Sequence, residues 1–155
     1  ISIDNTIDAV LAKAQLLQVK KRFKESIGVY RNAIEMTEVD SVKNEIMMSI
    51  LNIQYSNMNA YRTAYNTALS IKGSNRSQAL LIAANCVAKT ANTCGSSTFD
   101  RKCNYYYAAQ LANQAGDPGV AAKYKASAPS ADEIFSNNSP ATVTLSCWNV
   151  TVDVK

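Results

Sequence analysis

Cys86, Cys94, Cys103 and Cys147 are the residues of this chain best equipped for chemistry, because it contains no histidine at all. The commonest general base and the commonest zinc ligand are therefore missing together, which excludes Ser-His-Asp triads and histidine-based metal centres. No two of the cysteines form a C-x-x-C pair, so neither a zinc site nor a thioredoxin-like site is signalled. A disulfide is the better reading of such thiols. Cys94 and Cys103 bracket residues 95–102, where the chain is expected to turn back between antiparallel helices, and are read as the pair. Two free thiols are the alternative. Cys86, on the apolar side of its helix, reads as core, which leaves Cys147 to meet it or to stay free.

Other chemistry finds less support. The nearest carboxylate pairs, Glu35 with Glu38 and Asp132 with Glu133, fall at a helix end and in a polar segment, not in a cleft, so no glycosidase-like pair is indicated. Tyr105, Tyr106 and Tyr107 point around a helix at steps of roughly 100°, so at most two can be buried together. The third is left for packing or for a sugar or protein contact. No catalytic residue, metal or cofactor is expected, and an enzyme is not.

The formal net charge is +4, with Lys20, Lys21, Arg22 and Lys24 forming a basic run. No aromatic residue is interleaved with that run, so it reads as a solvated turn and not as a nucleic-acid surface. No stretch approaches the roughly 20 apolar residues of a membrane-spanning helix. The chain begins at Ile1, which suggests a processed protein or a fragment of a longer array.

The elements that must position these residues follow a repeat. Phe23, Tyr30, Ala33 and Met36 match Met58, Tyr65, Ala68 and Ile71 at a constant shift of 35 residues, without a gap. The preceding segments keep the register, with Ala14, Ser49 and Ala84 equivalent and Ile46, Ile50 and Ile53 forming an apolar stripe at helical spacing. The pattern predicts helices at about residues 5–20, 22–36, 41–56, 59–72, 75–93 and 98–115. Asp4 or Asn5 would cap the first, Asp40 or Ser41 the third, and Ser97 or Thr98 the sixth, while Gly73 and Gly116 mark stops. Residues 91–99 insert a loop into the third hairpin, and residues 118–128 make a short seventh helix that could cap the array.

The spacing of Ala14, Ala33, Ala68, Ala84, Tyr30, Tyr65 and Phe23 resembles tetratricopeptide repeats, whose unit is about 34 residues. The cysteine-bearing loop, the Tyr-rich helix and the Trp-containing tail together resemble the C-terminal regions of Bacteroidetes-type tetratricopeptide proteins. The resemblance implies an all-α fold: a right-handed array of three helix-turn-helix hairpins (5–36, 41–72, 75–115) with a capping helix (118–128) in a domain of residues 1–129. It also implies a concave groove that binds a partner segment. By matching phase that groove would be lined by Asp8, Leu11, Gln15 and Gln18, then Lys43, Ile46, Ile50 and Gln54, then Gln78, Leu81 and Asn85. Burial of most of these apolar residues by neighbouring elements is the competing expectation.

Beyond Pro129 the character changes. Residues 130–140 read as a polar, turn-rich link and residues 141–155 as an extended, β-like tail in which Val143 and Leu145 share one parity and Val150, Val152 and Val154 the other. Such a parity switch fits a bulge, and the tail must pair with itself, lie along helices or add to another chain. Two functions compete on this reading. One is a non-catalytic scaffold or adaptor that binds a protein or peptide in the groove or through the tail. The other is an assembly unit of a cell-envelope complex, joined by strand addition of the tail. The cysteine pair places either one outside the cytoplasm.

Overall fold

The computed structural model describes residues 6–155, which fall into two compact units, the first ending at Ala79 and the second running Leu80–Lys155. The expected caps Asp4 and Asn5 lie outside the described residues. Helix α1 (Ile7–Val19) is capped instead by Thr6, whose hydroxyl accepts from the Ala9 N–H at 3.2 Å.

In the first unit α1 is followed by α2 (Phe23–Glu35), α3 (Asp40–Asn52) and α4 (Tyr61–Ser70). Lys20, Lys21 and Arg22 of the basic run form the exposed link between α1 and α2, and Lys24 lies in the first turn of α2. There Lys21 adopts φ 62°, its N–H bonds Gln18 O, and the Arg22 N–H reaches Leu17 O, so a lysine occupies the left-handed position that usually falls to glycine. Ala14 and Ala33 are fully buried and pack with Tyr30, Ile46, Ile50 and Ile53. Small residues let the helices approach closely: the buried Ser26 hydroxyl donates to the Ala14 carbonyl at 2.7 Å. Tyr65 and Ala68 are buried as Tyr30 and Ala33 are, one 35-residue step later. At the end of α3 the chain widens into a π-turn (Ile53–Asn57), and Asn59 at φ 51° redirects it into α4.

The division between the units falls within α5 (Arg76–Lys89). The second unit continues with a 3₁₀ turn (Ala91–Thr93), α6 (Thr98–Gln114), α7 (Pro118–Ala126), α8 (Ala131–Ser136) and two strands, β1 (Thr142–Leu145) and β2 (Val150–Asp153). Ser97 caps α6. Asp117 caps α7, whose first residue, Pro118, needs no hydrogen-bond partner for its nitrogen. The helix order matches the sequence expectation through residue 126.

Two expectations for the last 26 residues change. The segment read as a polar link contains α8, started by a capping box in which Ser130 and Glu133 each bond the other's backbone N–H. Ser130-x-x-Glu133 ahead of Ile134 and Phe135 was a legible signal for it. The tail, read as one extended run broken by a bulge, pairs with itself, one of the three courses open to it, as an antiparallel hairpin with Val143 opposite Val152 and Leu145 opposite Val150. Residues 146–149 turn the chain back, with Asn149 at φ 53°. Leu145 and Val150 are five residues apart, an odd number, so the hairpin itself explains why the apolar parity switches. Nor is the tail separate from the helices before it: Leu145, Trp148 and Val152 are buried within the second unit, and the Tyr106 hydroxyl donates to the Lys155 carbonyl at 3.0 Å. The tail belongs to the second compact unit, Leu80–Lys155. No helix among the described residues is long and apolar enough to cross a membrane.

Candidate partner-binding site

In the first unit the last turns of α1, the start of α2 and the π-turn border an open hollow of about 460 Å³. Gln15, Gln18, Val19, Lys21, Phe23 and Asn57 line it. Three side-chain amides, one ammonium and an apolar floor suit an extended backbone, because amides both donate and accept. Gln18 is already oriented by the Tyr30 hydroxyl, which donates to its Oε1 at 3.3 Å. Val19 is 79% exposed and Leu16 54% exposed beside it, a large apolar area for one short helix.

The structure brings together only part of the expected lining. Gln15 and Gln18 share the hollow. Asp8 and Gln78 are exposed, and Leu11 leans on the core of its own unit. Ile46 and Ile50 are 4% and 0% exposed, and Gln54 is 2% exposed, so these three line no open surface. The reason is that α3 is covered on the side that carries them: the stripe read as groove is the contact layer of α3 with Ala14, Tyr30 and Ala33. Gln54 sits in the π-turn with its side-chain Oε1 buried and without a hydrogen-bond partner among the described residues. Lys43 borders a different hollow of about 610 Å³ between α3 and residues 70–75. In the second unit Leu81 is half-buried, and Asn85 is occupied by the Tyr124 hydroxyl, which donates to its Oδ1. Asn57, Lys21 and Val19 were not anticipated. No local pattern announces a π-turn, and that turn is what carries Asn57 to this place.

The cysteines also differ from expectation. Cys94 stands at disulfide distance from Cys147, with Cα atoms 5.8 Å apart, and not from Cys103. Cys103 is fully buried in α6, which has already begun at Thr98, so it is not part of the turn that was to bring the pair together. The turn between β1 and β2 supplies the partner. Cys86 is buried as expected. Burial pushes the Cys86 thiol up to about 12 and the Cys103 thiol to about 11, where neither is a nucleophile at neutral pH.

Beside the Cys94–Cys147 pair, Asn104 is a buried hub. Its Nδ2 donates to the carbonyls of Cys94 at 2.7 Å and Arg101 at 2.9 Å, and its Oδ1 accepts from Trp148 Nε1 at 3.1 Å. Helix, cysteine loop and hairpin turn are thus tied through one amide. Tyr106 and Tyr107 are buried and Tyr105 is half-buried against Tyr124, with ring centroids 6.4 Å apart. Among the described residues no three side chains of metal-ligating type come together. The chain matches no protein-family model, no curated protein and no solved structure.

Proposed function

We propose that this chain is a non-catalytic interaction scaffold of the tetratricopeptide type, which holds an extended partner segment in the hollow of its first unit. The carrying observation is the convergence of Gln15, Gln18 and Asn57 on one hollow with an apolar floor. Two of those residues are ones the repeat phase assigns to the partner-facing side. The equal burial of Tyr30 with Tyr65 and of Ala33 with Ala68 supports the repeat reading. A photo-crosslinking residue at Gln15 should capture a protein from the native source, whereas one at the exposed Lys24 on α2 should not. Equal capture at both positions, or none at Gln15, overturns the reading.

A second reading, an assembly unit of a cell-envelope complex, is favoured by the C-terminal hairpin. The hairpin ends in an open strand edge, and the Cys94–Cys147 pair suits an oxidising compartment.

A further inference from the structure

The hairpin edge carries an inference that gives the assembly reading a definite partner. The Val154 N–H bonds Ala141 O at 2.9 Å, and antiparallel pairs alternate, so 143:152 and 145:150 are the hydrogen-bonded pairs of the hairpin. The N–H and C=O groups of Thr151 and Asp153 therefore point away from β1. No backbone group among the described residues pairs with them. Edges of this kind are normally guarded by proline, by lysine along the strand or by a bulge. β1 has Pro140 just ahead of it, and the cysteine loop lies beside it, Thr144 and Leu145 sharing a hollow with Gly95 and Ser96. β2 reads Val150-Thr-Val-Asp-Val154, with no proline and no bulge, and the charges of Asp153 and Lys155 cancel. Its edge opens on a groove of about 350 Å³ whose other wall on α6 presents the amides Gln110, Asn113 and Gln114.

We infer that β2 pairs edge to edge with β2 of a second copy, antiparallel about Val152, to make a four-stranded sheet. The sequence is self-complementary in that register. Thr151 and Asp153, whose backbone groups are the free ones, form the hydrogen-bonded pair with the second copy's Asp153 and Thr151. On the outer face each threonine hydroxyl then stands opposite a carboxylate that it can bond. On the inner face Val152 meets Val152, and Val150 meets Val154, extending the apolar layer that covers α6. The register that would set Asp153 against Asp153 is disfavoured by like charge. The geometry of the layer agrees: two hairpins side by side place their centres about 10 Å apart, which is the spacing of two packed helices. The α6 amides would meet their own copies, each able to donate and accept.

Sedimentation of the full chain from about 1 μM to about 1 mM should show a monomer–dimer equilibrium. Thr151→Lys places an ammonium opposite each Asp153 and should tighten the dimer, whereas Thr151→Asp should weaken it, each by about two- to thirtyfold. Both variants lose the same exposed Thr144–Thr151 hydroxyl contact, so their difference reports the charge alone. Thr151→Pro, which removes the outward N–H along with the exposed Thr144–Thr151 hydroxyl contact, should leave a monomer with unchanged Trp148 fluorescence. A chain that stays monomeric throughout, or a dimer indifferent to the sign of the charge at position 151, overturns the inference. The assembly reading falls separately if a crosslinker at Thr151 captures no other protein either.

Discussion

Asn104 shows how much one buried amide can carry. Replacing it with alanine removes its bonds to the Trp148 indole N–H and to the Cys94 carbonyl inside the second unit, and each buried bond lost costs about 1–2 kcal/mol. Asn104→Ala should therefore lower the unfolding free energy by about 2–4 kcal/mol, measured by denaturant titration with Trp148 as the probe. Asn104→Asp keeps an acceptor for the indole but sets a buried carboxylate oxygen against the Cys94 and Arg101 carbonyls, so it should cost at least as much as alanine. Lys21 is the opposite case. Its φ of 62° suits glycine, and its ammonium borders the proposed partner hollow, so the strained residue is also a candidate contact. Glu133 joins two elements from the surface: the Lys102 ammonium, 2.8 Å away, and the Ser130 N–H both hold its carboxyl below the ordinary range.

Among the elements, the hairpin decides the most. Cys94 and Cys147 lie 53 residues apart, and a disulfide closing a loop of that size contributes about 4 kcal/mol by the chain-entropy estimate. Cys147→Ser should cost up to about that much, while Cys103→Ser, which breaks no bridge, should act only through packing. Mass analysis without reductant checks the pairing directly: a digest should contain a peptide linking Cys94 to Cys147 and none linking Cys94 to Cys103. Removing residues 140–155 would expose the surface that Leu145, Trp148 and Val152 cover, so the truncated chain should lose cooperative unfolding of its second unit. The π-turn matters in another way. It adds one residue per turn at the end of α3, and so aims Asn57 toward the hollow while burying Gln54.

For the whole molecule, stability should fall at both ends of the pH range, for different reasons. Glu133 has a depressed pKa, so its contribution is present above the ordinary carboxylate value of 4.5 and is lost as pH falls through its lower native value. Glu133→Gln should flatten that acid limb. The thiols of Cys86 and Cys103 are raised from 9.0 to about 12 and about 11, so the native state holds protons that the unfolded chain releases. Stability is then unaffected below pH 9 and declines as pH rises through the interval up to those values. Thermal unfolding scanned across pH checks both limbs. Titration with a thiol reagent should find no reactive group in the native oxidised chain, and two after denaturation without reductant.

Local order and periodicity determined the helices. The 35-residue shift, the small residues at the helix contacts, Asp117-Pro118 and Gly116 were enough to place seven of them in order, because each signal acts within a turn or two of chain. The Ser130–Glu133 box that starts α8 is equally local. Tertiary structure decided everything that depends on distant parts of the chain meeting. Ile46 and Ile50 read alike whether they face a groove or a core, since periodicity gives a face and not what covers it. Cys94 could be paired from sequence only with its neighbour, since the hairpin turn that delivers Cys147 lies 53 residues away. The parity switch in the tail was visible, but a bulge and a hairpin produce the same alternation. Only the register of Leu145 against Val150 separates them, and it leaves Thr151 and Asp153 on an open edge.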